Sequence, residues 1–151
     1  MRMGVRFAFD VGSARVGVAR CDPSGILASP QEFIVASEQS IVEAADLVSD
    51  SGAIEVIVGY PVGLSGKPGA AAEAAKTWAT RLAEQISIPV RLVDERLSTT
   101  QANRALQQQG SNSRQSRARI DSAAAAVVLQ YALDAERAGG QPIGEVLAPH
   151  K

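Results

Sequence analysis

Apolar and polar residues change their spacing twice along this chain, and the changes divide it into elements. Val5 to Asp10 is an almost unbroken apolar run, the pattern of a short buried strand. The Gly12-Ser13 step makes a turn, and Arg15 to Arg20 reads as a second strand. Asp22-Pro23-Ser24-Gly25 has turn chemistry, and a weaker third strand covers about Leu27 to Val35. The first third is therefore a three-strand meander.

Helical spacing follows. Ser40-Ile41-Val42-Glu43 has the form of a capping box, with Ile41, Ala44, Ala45 and Val48 on one stripe and Gly52 as the stop. Ile54 to Gly59 is a strong buried-strand signal. A loop from Tyr60 to Gly69 holds three glycines and two prolines. An alanine-rich helix spans Ala71 to Ile86, and Pro89 opens a strand from Val90 to Glu95. Ser98-Thr99-Thr100-Gln101 is a second capping box, for a helix to about Gln109. A polar loop from Gly110 to Ser116 precedes a long helix from about Ala118 to Ala138, stopped at Gly139-Gly140. The reading is a single α/β domain over residues 1–138 with a loose tail over 139–151. Its sheet is mixed and five-stranded, a three-strand antiparallel meander plus two parallel strands, with helices on both faces.

Composition narrows the class. The 151 residues are enough for one domain with a real core, and 46% hydrophobic with 21% charged is a soluble balance. The one cysteine, Cys21, forbids an internal disulfide and suits a reducing cytoplasm. There is no export-signal pattern, and no apolar run has the length of a membrane span. The net charge of −1 argues against a nucleic-acid partner until its distribution is considered. From Arg96 through Ile120 there is no acid, but there are five arginines: Arg96, Arg104, Arg114, Arg117 and Arg119. The rest of the chain carries 10 basic residues against all 16 acidic ones. One basic segment in an acidic chain suggests an anionic ligand, and a solvated basic face explains it equally well.

Three carboxylates matter most. Asp10 ends the first strand on the face opposite Val5, Phe7 and Phe9. Glu95 ends the Val90 strand, and ligands of α/β sheets gather at such carboxyl ends. A lone acid there is commonly a solvated turn residue; two are harder to explain by packing. Asp121, in the first turn of the last helix, can simply complement the helix dipole. It also flanks an apolar stripe of Ile120, Ala124, Val127 and Tyr131, at the edge of the buried face. Three carboxylates at one rim would suit Mg²⁺ or Mn²⁺, with positions left for water and phosphate oxygens. Alternation sends Asp94 to the opposite face from Glu95. Arg15 and Arg96 flank the strand acids as phosphate contacts or plain salt-bridge partners, and Lys67 sits in the glycine loop. Arg114, Arg117 and Arg119 are the best candidates for phosphate contact. Trp78 reads as a packing residue rather than a stacking platform, and His150, the only histidine, lies in the tail.

Four motifs carry a family resemblance. Phe9-Asp10-Val11-Gly12-Ser13-Ala14-Arg15-Val16-Gly17-Val18-Ala19 resembles the opening motif of the YqgF-type family, the candidate pre-16S ribosomal RNA nucleases also called Holliday-junction-resolvase-like proteins. Val58-Gly59-Tyr60-Pro61 with Ser65-Gly66-Lys67-Pro68-Gly69 is similar to its central glycine loop. Val93-Asp94-Glu95-Arg96-Leu97-Ser98-Thr99 is similar to its most specific signature, and Ile120-Asp121-Ser122-Ala123-Ala124-Ala125 to its last. The departures are Tyr60 in place of a smaller aliphatic residue, and Ser13-Ala14 in place of Thr-Lys. The resemblance implies a ribonuclease H-like fold and trimming of the 5′ end of precursor 16S ribosomal RNA. It implies that Asp10, Glu95 and Asp121 are the catalytic acids that hold the metal. Three alternatives stand beside it: a resolvase of Holliday junctions or other structured DNA, a binding module for ribosomal RNA or assembly factors, and a sugar-kinase or actin-like ATPase. The last would normally need a duplicated domain. Monomer and homodimer both fit the sequence.

Overall fold

The computed structural model describes residues 2–61, 69–94 and 114–147. Six strands form one mixed sheet in the order β3-β2-β1-β4-β5-β6. β1 (Arg6–Val11), β2 (Arg15–Cys21) and β3 (Ala28–Val35) are the expected antiparallel meander. β4 (Glu55–Tyr60) runs parallel to β1, and β5 (Val90–Asp94) parallel to β4. The sixth strand corrects the expected five. β6 (Glu145–Leu147) lies in the stretch read as a loose tail and pairs antiparallel with β5. Three residues are too few to show an alternation, so the sequence carried no strand signal there. Leu147 is buried by the pairing.

Helices cover both faces. α1 (Ser40–Asp50) and α2 (Ala70–Gln85) pack with Phe7, Phe9, Val56, Val58 and Leu92 on one side. α3 (Arg114–Gly139) covers the other, where Ala8, Ala19, Cys21, Ile57 and Val93 meet Ala125, Val128, Leu129, Ala132 and Leu133. The division follows strand alternation, with Phe7 and Phe9 on one face of β1 and Ala8 on the other. Trp78 is indeed a packing residue, its ring 5.3 Å from that of Phe9. Cys21 is buried and accepts the Arg6 backbone N–H.

Several local expectations shift. Ser40 does not cap α1: Gln39 holds the N-cap position without a side-chain bond. The Ser40 hydroxyl instead donates to the Ser37 carbonyl and accepts the Trp78 Nε1–H at 2.9 Å. Gly52 does close α1, at φ 63° with its N–H on the Ser49 carbonyl. α3 starts at Arg114 rather than Ala118, which moves Arg114 from an expected loop into a helix. Its sheet-facing row is Ser122, Ala125, Leu129, Ala132 and Glu136, not the stripe through Ala124, Val127 and Tyr131, which are only half-buried. In a helix this rich in alanine nearly every position is apolar, so periodicity cannot choose the face. Close approach to the sheet favours the smallest side chains. The helix expected from Ser98 to Gln109 lies outside the described residues.

Candidate active site

The site is built where β1, β4 and β5 end together. Asp10 pairs in register with Gly17 of β2, while Tyr60 pairs with Asp94 of β5. By alternation Asp10 shares the face of Ala8, which α3 covers. Its carboxylate is half-buried and, among the described residues, has no ion-pair partner. The turn beyond it is tight: the Gly12 N–H bonds the Arg15 carbonyl at 2.9 Å, and a Cβ on Gly12 would meet that oxygen at 2.8 Å.

The start of α3 reaches the same rim. Ser122 is fully buried, and its hydroxyl accepts the Val18 N–H at 3.0 Å. Val18 pairs with Phe9, so the helix backbone at Asp121 and Ser122 is pinned one residue from the Asp10–Gly17 pair. Gly17 has no side chain to hold the helix away. Position 121 lies one turn before Ala125 along α3. Sequence reasoning passed over Ser122, because a serine within an alanine run gives no signal of what its hydroxyl touches.

The remaining candidates divide. Arg15 starts β2, exposed, with its guanidinium 5.0 Å from the centroid of the Phe33 ring. Asp94 ends β5 half-buried and, by alternation from Val93, on the face opposite α3. Arg114, Arg117 and Arg119 lie in the first two turns of α3. Lys67, Glu95 and Arg96 lie outside the described residues, as do the Asp121 and arginine side chains at the start of α3. The described chain leaves β5 at Asp94, immediately before Glu95. Among the described residues no three metal-ligating side chains cluster, since Asp10 is the only one of the three acids whose side chain is described. The donor chemistry of that set, three carboxylates, fits a hard divalent ion. An open, mostly apolar groove of about 470 Å³ between α1 and α2 includes Val11, Gly12, Ile41 and Trp78 in its lining. It opens on the face away from α3, and Asp10 does not line it.

Residues 4–135 match the RuvX family, described as Holliday junction resolvase. The chain belongs to that family. A relative from Thermobifida fusca is 50% identical over 155 residues, covering 97% of this chain and 98% of its own. One from Kineococcus radiotolerans is 46% identical over 155 residues, covering all of this chain and 82% of its own. Both are named as candidate pre-16S rRNA nucleases. Among solved structures, RuvC from T. thermophilus in complex with a Holliday junction substrate superposes with a TM-score of 0.61 at 14% identity, covering 93% of this chain and 99% of that one. At that identity the likeness concerns the fold, which is the ribonuclease H-like sheet with helices on both faces. The RuvX match spans the meander, both parallel strands and most of α3, and it stops before β6.

Proposed function

We propose that this RuvX-family chain is a metal-dependent nuclease that hydrolyses RNA phosphodiesters, in maturation of the 5′ end of precursor 16S ribosomal RNA in the cytoplasm. The observation that carries the reading is the half-buried Asp10 at the end of the central strand, with no ion pair among the described residues and the backbone of α3 at Asp121 pinned beside it. The family match and the relatives' names support nuclease chemistry. Among the described residues no helix is long and apolar enough to cross a membrane.

Asp10, Glu95 and Asp121 are the catalytic acids and the residues that would hold Mg²⁺ or Mn²⁺. The bound ion would supply an acidified water and neutralise charge on the phosphodiester. The residues' own work is positional. β1 presents Asp10 at a fixed height, and the Ser122–Val18 bond sets the height of position 121. Arg15, Lys67, Arg96, Arg114, Arg117 and Arg119 are assigned to the phosphate backbone, an interaction that carries no sequence information. The arginines would make binding strongly dependent on salt.

The test is cleavage of a precursor 16S leader RNA by purified protein with Mn²⁺. Asp10→Asn keeps the size of the side chain and removes its charge, and is expected to lower the rate by at least about 100-fold with the melting temperature little changed. Full activity in Asp10→Asn would sink the assignment. The family description gives a specific reason for a second reading, a resolvase of branched DNA. A four-way junction in the same assay separates the two: preferential cutting of the junction over the leader RNA replaces the first reading with the second.

A further inference from the structure

We infer that Ser122 is a positioning residue for the metal-binding acids, an inference that rests on the nuclease reading above. β2 and β3 pair Val16 with Ile34 but Val18 with Gln31, so the ladder slips between them. A slipped ladder leaves backbone groups without strand partners. At this slip the Val18 N–H donates to Ser122 Oγ, across 104 residues of sequence and in a fully buried setting. Val18 is the register partner of Phe9, and Asp10 is the next residue along. Ser122 is the next residue after Asp121. One hydrogen bond therefore ties α3, at the residue after Asp121, to β2, at the residue that faces Phe9 just before Asp10. Losing the hydroxyl frees that end of α3 to shift against β1, and with it the separation of positions 10 and 121.

α3 supplies its own control. Two turns further on, Gln130 Oε1 accepts the Ala28 N–H at 2.9 Å, tying the helix to the edge strand β3 away from the rim. Ser122→Ala and Gln130→Ala thus each remove a side-chain acceptor from a strand N–H. The experiment titrates Mn²⁺ alone into both variants and into the native protein by calorimetry, with thermal melting and steady-state cleavage of leader RNA alongside. Both variants are expected to melt earlier. Only Ser122→Ala is expected to bind Mn²⁺ more weakly, by about 10-fold, the usual penalty for removing a group that orients a ligand. Its kcat should fall while its KM for RNA is held. Ser122→Cys, which keeps a weak acceptor at similar size, is expected to move in the same direction and serves if Ser122→Ala does not fold. Mn²⁺ affinity equal to the native protein's, or lost equally in Gln130→Ala, overturns the inference. Native protein that binds no Mn²⁺, or Asp10→Asn that binds it as tightly as the native protein, overturns the metal reading itself and the inference with it.

Discussion

Single hydroxyls hold more of this structure than their place in the sequence suggests. Ser40 looks like a helix cap and acts instead as a buried bridge, donating to Ser37 and accepting from Trp78. Removing it leaves an indole N–H in a buried site with no acceptor. Ser40→Ala is therefore expected to cost about 2 kcal/mol, the desolvation penalty of an orphaned donor, rather than the smaller loss of a cap. Urea unfolding of the two proteins checks this, and a change below about 0.5 kcal/mol would show that the Trp78 N–H does not depend on Ser40. Ser40 and Ser122 share one reason for being hidden from sequence reading: their partners lie 38 and 104 residues away. Asp10 was legible because it breaks a run of apolar residues at a strand end. Asp121 is singled out only by its motif, and the sheet-facing row of its helix was not legible, because alanine packs on any face.

Among the elements, the strong signals were the long ones. The meander, α1, β4, α2 and β5 follow from alternation, helical spacing and glycine stops, and their bounds differ from expectation by a residue or two. β6 escaped because three residues carry no period, and its place is set by backbone shape. Gly144 enters it at φ 97°, where a Cβ would lie 2.6 Å from the Leu92 carbonyl oxygen. Both the torsion and the contact exclude a side chain. Gly144→Ala is expected to detach β6 from β5 and cost about 2 kcal/mol, within the range for a residue forced into a disfavoured backbone region. Amide exchange localises the effect: protection should fall at Val90 to Leu92 and remain at β1. Unchanged exchange along β5 would mean that β6 contributes nothing to the sheet's edge.

At the scale of the molecule, the buried acids at one end of the sheet are clamped by arginines, whereas, among the described residues, Asp10 at the other end is not. At the end away from the site, Arg2 contacts Glu136 at 2.6 Å and Glu55 at 3.2 Å, Arg6 contacts Glu136 at 3.1 Å, and Arg91 contacts Glu55 at 2.7 Å. Arg6, Glu55 and Glu136 are buried, so this network ties the chain's start, β1, β4, β5 and the last turns of α3 together. At the other end Asp10 has no ion pair among the described residues. Arginines satisfy the buried structural carboxylates here, whereas on the nuclease reading proposed above Asp10 would be satisfied by a metal ion. The clamped end gives a test by pH. The Arg2 guanidinium, with its hydrogen bonds to Glu136, holds that carboxyl at about 2, below its ordinary 4.5. A depressed folded pKa means that the native state binds the proton less readily than the unfolded chain. Its contribution is therefore complete above pH 4.5 and disappears as pH falls towards 2. Glu136→Gln should be less stable than the native protein by roughly 3 kcal/mol at pH 7, because Arg6 stays buried without its carboxylate. The gap should narrow from pH 4.5 downward and nearly close at pH 2. The Asp22 carboxyl, also held low by the Leu27 and Ile26 backbone N–H groups, titrates in both proteins and cancels in the difference. Urea unfolding at intervals from pH 7 to pH 2 measures that difference, and two parallel curves would show that Glu136 is not stabilised by its arginines.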